Sequence, residues 1–85
     1  MVIYYYARFR QQYKKLPKEI KYKIAAKEAI FKINPFDPRL ETHKLHGESV
    51  GLLAFSITNK YRVVFDFLNK NIARFYEIGT HDIYN

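Results

Sequence analysis

The chain contains no cysteine, so neither a disulfide framework nor a thiolate metal site is available to it, and this fits a reducing compartment. Its three histidines, at positions 43, 46 and 81, are scattered, and a zinc site is not expected from them. Long apolar runs are missing as well: none approaches the roughly 20 residues that a membrane-spanning helix needs. The stretch MVIYYYARFRQQYKK lacks the order of charge, apolar segment and small-residue cleavage site that marks a secretory signal. The expectation is a cytoplasmic protein with no membrane contact, no metal and no small-molecule cofactor. Acidic residues are also scarce. Eight Asp and Glu against fifteen Lys and Arg give a net charge of +7, which on so small a surface attracts polyanions. Between Arg8 and Lys32 nine cations face only Glu19 and Glu28. Such a run is either a solvated helical surface or a docking surface for nucleic acid or an acidic protein segment.

What is present suffices for one small domain over residues 1–85: 48% of the residues are hydrophobic and 18% aromatic, enough for a single modest core. Val2 to Ala7, β-branched and aromatic, reads as a strand. Phe9, Tyr13 and Leu16 then fall on one face of a short helix. Pro17 breaks the chain and suits the first turn of a second helix, in which Ile20, Ile24 and Phe31 line one side with Ala25 and Ala29 nearby. NPFDP stops that helix, because Pro35 disfavours helical geometry at Asn34. From residue 52 the period is two. Leu52 to Ile57, Tyr61 to Leu68 and IARFYEI read as three antiparallel strands joined by turns at TNK and NKN. The predicted fold is α+β: an N-terminal strand, two helices and a three-stranded antiparallel meander, with the helices covering one face of the sheet.

In the second strand of the meander, Tyr61, Val63, Phe65 and Phe67 form the larger apolar face and belong against the helices. Arg62 and Asp66 therefore point to the other, open face, two pleats apart. An ion pair between them would be an ordinary structural use of this arginine. A functional use needs a phosphate or another anion on that face.

The motifs HKLHG (His43 to Gly47), G-LLAFSI (Gly51 to Ile57), YRVVF (Tyr61 to Phe65) and IGTHDIY (Ile78 to Tyr84), in this order in a basic chain of this length, resemble the RelE/ParE superfamily of bacterial and archaeal toxins from toxin–antitoxin pairs. The resemblance implies a microbial RNase-like fold and a cognate antitoxin as partner. For the RelE-like and YafQ-like branches it implies cleavage of messenger RNA on the ribosome. For the ParE branch it implies inhibition of gyrase by protein binding, and a catalytically inactive member is a further alternative; the fold alone does not choose between them.

Cutting RNA without a metal requires a group that accepts the 2′ proton, a group that protonates the leaving 5′ oxygen and a cation on the phosphate. Histidine suits the proton transfers, because its unperturbed pKa of about 6.5 lies near operating pH. Arginine suits the phosphate, since its fork binds two oxygens and its charge does not titrate away. By the resemblance, Arg62 matches the strand arginine of the RelE pattern, His81 the basic residue after the last strand, and His43 the first histidine of the YafQ-like pattern. Tyr84 lies close to the C-terminal aromatic that both branches tend to use near the substrate base, and His46 occupies a variable slot. Lys60, together with the helical Lys14, Lys18 and Lys21, is expected to contact RNA. There are departures: Ser56 stands where the YafQ-like pattern has another histidine, Lys60 stands at the nearby acidic position, and LLAFSI lacks the lysines of the RelE pattern. The extra C-terminal helix of some relatives is not expected after IGTHDIY.

Overall fold

In the computed structural model, which describes residues 1–80, the chain runs β1 (Val2–Tyr5), α1 (Ala7–Lys14), α2 (Lys18–Ile33), β2 (His43–Lys44), β3 (Leu53–Ser56), β4 (Tyr61–Asn69) and β5 (Ile72–Thr80). Single 3-10 turns lie at Pro38–Leu40 and Gly47–Ser49. The strands form one mixed sheet in the order β1-β5-β4-β3-β2, with β1 parallel to β5 and the remaining pairs antiparallel. The α+β reading and the meander hold. The two-residue strand β2, over the start of HKLHG, is an addition that periodicity could not reveal in so short a segment. Among the described residues, no helix is long and apolar enough to cross a membrane.

Both helices lie against one face of the sheet, and their apolar stripes meet the odd-numbered side chains of β3 and β4. Phe9 from α1 and Ile24 and Phe31 from α2 are buried with Phe55, Val63, Phe65, Ala73, Phe75 and Ile78. Phe31 is the hub: its ring centroid lies 5.0 Å from those of Phe55 and Phe65 and 5.2 Å from that of Phe75. Pro17 immediately precedes α2 rather than sitting in its first turn, and its carbonyl accepts from the amides of Ile20 and Lys21. After α2, the NPFDP loop is held by side chains that mimic backbone turns: Asn34 Oδ1 accepts from Phe36 N, and Asp37 Oδ1 from Arg39 N. Ala25 does not enter the core. It lines a groove of about 480 Å³ between α1 and α2 with Tyr5, Phe9, Tyr13 and Ile24, and the Tyr5 hydroxyl donates to Glu28 within it.

The β4–β5 hairpin contains two irregularities that cancel. Near the turn Asn69 pairs with Ile72, yet Phe67 pairs with Ala73, so Leu68 is an extra residue on β4. Further along, Phe65 pairs with Phe75 and Val64 with Glu77, so Tyr76 is an extra residue on β5. An unbroken register would set Asp66 opposite Phe75 and force a carboxylate and a core phenylalanine onto the same face. The bulge at Leu68 instead aligns Phe65 with Phe75 on the core side and Asp66 with Arg74 on the open side. The bulge at Tyr76 restores the count, so that Arg62 faces Gly79.

Candidate functional site

The open face is built by the residues that the pleat turns away from the helices. β3 contributes Ala54 and Ser56, β4 contributes Arg62, Val64 and Asp66, and β5 contributes Arg74, Tyr76 and Glu77. Ala54 and Val64 are buried beneath Leu45 and Leu52, a small second apolar cluster that roofs part of this face. Arg62 is half-buried, and its cross-strand neighbour on one side is Ser56, whose Oγ accepts from Arg62 Nη1 at 3.0 Å. Its neighbour on the other side is Gly79, which has no side chain to place beside it. Among the described residues the guanidinium thus has a hydroxyl prop on one flank and a glycine as its cross-strand neighbour on the other.

The Arg62–Asp66 ion pair considered from sequence is not formed. Asp66 belongs to Arg74, its cross-strand partner, with Arg74 Nε to Oδ1 and Nη2 to Oδ2 both at 2.7 Å, and the Tyr76 hydroxyl donates to Oδ2 at 2.9 Å. The physical reason is the bulge at Leu68, which brings position 74 rather than 75 opposite the carboxylate. Burial alone would push the Asp66 pKa up; the hydrogen bonds from Arg74 and Tyr76, with the Arg74 charge, outweigh it and hold the carboxyl below its usual 3.8. Tyr76 is pushed upward by burial and by its bond to the carboxylate, so its phenol stays protonated and is no proton acceptor at neutral pH. Tyr6 packs against Tyr76 with ring centroids 4.5 Å apart, and Tyr4 meets Tyr6 edge-on at 5.1 Å.

The Asp66 environment has a pH consequence. A carboxyl depressed in the folded state contributes stability that is complete above its unfolded value and is lost as pH falls through the lower folded value. Asp37, at the surface, is pushed down to about 2 by hydrogen bonds from Arg39 and contributes in the same acid range. Urea midpoints should therefore be flat above pH about 5 and fall below about 4, and Asp66→Asn should make that fall shallower. An unaltered acid slope in the variant would remove Asp66 from the account.

His43 lies on the open face through its pairing with Ala54 but at the sheet edge, exposed, with Nδ1 3.0 Å from the carbonyl oxygen of Glu41. An acceptor at that place selects the tautomer with its proton on Nδ1, and Nε2 then carries the lone pair. Two strand spacings and two residues of rise set the Cα atoms of His43 and Arg62 about 12 Å apart, a gap that two long side chains can share with a phosphate between them. Lys60 stands exposed in the β3–β4 turn, with Nζ 5.8 Å from the Tyr61 ring centroid. Lys14, Lys18 and Lys21 lie on the helical layer, on the opposite side of the sheet from Arg62; Lys21 Nζ donates to the Lys14 carbonyl and sits over Tyr13. His81 and Tyr84 lie outside the described residues. Among the described residues no three His, Cys, Asp or Glu side chains gather as metal ligands would.

Sequence reading missed the Asp66–Arg74–Tyr76 set and the pair between Arg8 Nε and Glu77 Oε1 at 2.7 Å. One signal was available: the buried side chains of IARFYEI stand at Ala73, Phe75 and Ile78, and the step of three where strands step by two marks a bulge. Ser56, noted only as a departure from a histidine, is buried and serves as the acceptor that aims Arg62.

No family model matches the sequence, and no curated protein matches it. Solved structures do match the fold. A YoeB/ParE toxin from Agrobacterium tumefaciens superposes with a TM-score of 0.80 at 18% identity, covering 95% of this chain and 99% of that one. The Escherichia coli DinJ–YafQ toxin–antitoxin complex gives 0.74 at 19%, covering 93% and 90%. The archaeal RelE–RelB complex from Pyrococcus horikoshii gives 0.75 at 15%, covering 96% of each chain. The fold is that of the RelE/ParE toxins, as the motif resemblance implied.

Proposed function

We propose that this chain is the toxin of a toxin–antitoxin pair and that it cuts messenger RNA on the ribosome without a metal. The observation that carries this reading is Arg62: a permanently charged fork in the middle of the open face, braced by Ser56 and opposite a glycine, while Asp66 on the same strand is paired with Arg74. A phosphodiester laid over Gly79 would meet that fork. The 2′-hydroxyl oxygen then attacks the adjacent phosphorus as the bond to the 5′ oxygen breaks, giving a 2′,3′-cyclic phosphate and a free 5′-hydroxyl. Arg62 neutralises the charge that grows on the phosphorane. Of the two proton transfers, His43 can take one through Nε2 and His81 the other; the order in which they act as base and acid is left to the pH profile of the two variants. Tyr84 is proposed to stack on a substrate base, with Lys60 near the RNA backbone. The messenger aligned in the decoding site supplies proximity, a large part of such a barrier.

The helical layer suits a different contact. Lys14, Lys18 and Lys21 are proposed to hold ribosomal RNA, and the same surface, with the groove between α1 and α2, fits an acidic amphipathic antitoxin segment. The two partners would compete for one cationic surface. Their affinities should both fall with salt, and replacing these three lysines by glutamine should lower the slope for ribosomes. An unchanged slope would remove them from ribosome binding.

The test of the whole reading is expression. The chain alone should arrest growth, and purified chain should cut messenger on programmed ribosomes. Co-expression of a small acidic protein encoded beside it should restore growth and yield a soluble complex. A chain that is harmless alone and leaves ribosome-bound messenger intact would overturn the proposal.

A further inference from the structure

Among the described residues, the distal half of β5 has a strand on one side only. β1 pairs with β5 from Ile72 to Phe75 and then ends, whereas β4 runs alongside as far as Thr80. On the side that β1 vacates, α1 takes over. Gln12 Oε1 accepts from the backbone amide of Ile78 at 2.9 Å, a contact between residues 66 positions apart in the sequence. Just before it, the Tyr6 amide donates to the Phe75 carbonyl, so the β5 backbone passes from a strand partner to a helix side chain with its amide at position 78 satisfied. We propose that Gln12 is a positioning residue: by holding the Ile78 amide it fixes the next residue, Gly79, in the place opposite Arg62 that a bound phosphodiester requires. The proposal rests on the reading of Arg62 as the phosphate holder.

The need for such a hold comes from the bulge. Tyr76 lies two residues before Ile78, and a bulge disrupts the ladder beside it, so residues 77–80 gain from a support on the side away from β4. Arg8 also reaches this stretch through its pair with Glu77. Its side chain is 70% accessible, however, and an ion pair so open to water contributes little. The Gln12 bond is of another kind: Ile78 is buried, and a buried amide that loses its acceptor forfeits the bond without full repayment from water. Gly79 is the cross-strand partner of Arg62, so any drift of this strand end changes the space between the guanidinium and the backbone beside it. A displacement of about 1 Å at a reacting centre can cost about a hundredfold in rate. Gln12 belongs to the helical layer and acts through Ile78, not on the substrate itself.

The test uses the whole chain with Gln12→Met and Gln12→Glu. Methionine keeps an unbranched side chain of good helix propensity and exchanges a strong acceptor for a weak one, whereas glutamate keeps the acceptor. By NMR, the Ile78 amide should exchange with solvent about tenfold faster in Gln12→Met, measured against Val63 in β4. The Gly79 amide signal should shift in the same variant, and both should return towards their original values in Gln12→Glu. On programmed ribosomes Gln12→Met should lower the cleavage rate at saturating toxin by about tenfold and leave the half-saturating concentration unchanged, with Gln12→Glu restoring the rate. A merely structural glutamine would lower the melting temperature and leave the saturating rate intact. That result, or an Ile78 amide whose exchange is unaltered in Gln12→Met, would overturn the proposal. An unsubstituted chain that cuts no messenger would remove the nuclease, while the Gly79 shift and its return in Gln12→Glu would still establish that Gln12 places this residue.

Discussion

Arg62→Ala should lower ribosome-dependent cleavage about a hundredfold to a thousandfold, equivalent to about 3 to 4 kcal/mol of transition-state stabilisation. On the proposed mechanism the loss arises because the charge on the phosphorane grows where the guanidinium stands; among the described residues Arg74 is held by Asp66, and Lys14, Lys18 and Lys21 lie behind the sheet. Arg62→Lys should recover only part of the rate, since an ammonium lacks the planar fork that grips two phosphate oxygens side by side. A small stability cost accompanies the alanine variant, because Ser56 is buried and loses the donor to its oxygen. Ser56→Ala separates the two effects: it removes the prop and keeps the charge, so cleavage should fall less than in Arg62→Ala. His81→Ala belongs in the same series and should lose a comparable factor. The assay is messenger cleavage on programmed ribosomes with thermal melts alongside, and full cleavage by Arg62→Ala would end the mechanism.

The largest stability effect is expected at Phe31. Its ring is fully buried and stacks or meets edge-on with Phe55, Phe65 and Phe75, so truncation to alanine removes contacts to three strands at once. Phe→Ala at such a site costs about 3 to 5 kcal/mol, transfer and cavity terms together. In a domain of this size each kcal/mol is worth about 4 to 8 °C, so the melting temperature should drop by roughly 12 °C or more. Phe31→Leu, which leaves a smaller void, should lose less. A drop of only a few degrees in the alanine variant would mean that the helical layer is not organised around this ring.

The elements of the fold were legible because each carries a clear period: Phe9 and Tyr13 at helical spacing, Tyr61 to Phe67 at strand spacing, and Pro17 and Pro35 as punctuation. Partnership was less legible than position. Arg62 was correctly turned to the open face by alternation, yet its partner could not be read. Alternation says which side a residue faces; register decides which residue stands opposite, and a bulge changes that by one without altering composition. His43 was singled out through the motif resemblance, but its pairing with Ala54 depends on a strand too short to carry a period. Lys14, Lys18 and Lys21 were grouped with the substrate residues on charge alone, and charge does not say which side of a sheet a helix covers.

The strand order β1-β5-β4-β3-β2 bears on how the chain comes into being. β5, the last of these strands to be synthesised, lies in the interior of the sheet, hydrogen-bonded on one side to β1 and on the other to β4. Until Ile72–Thr80 is available, β1 has no partner strand and β4 keeps a bare edge. The parallel pairing of Val2 with Ile72 closes almost the full length of the chain, a contact of high sequence separation that forms slowly. A nascent chain therefore cannot assemble its sheet progressively from the N-terminus, as local topologies do during synthesis. Gly79, the residue opposite Arg62, arrives with that same strand. Folding and completion of the open face thus become a single late event, and a prematurely terminated product would expose two sticky strands rather than a working surface.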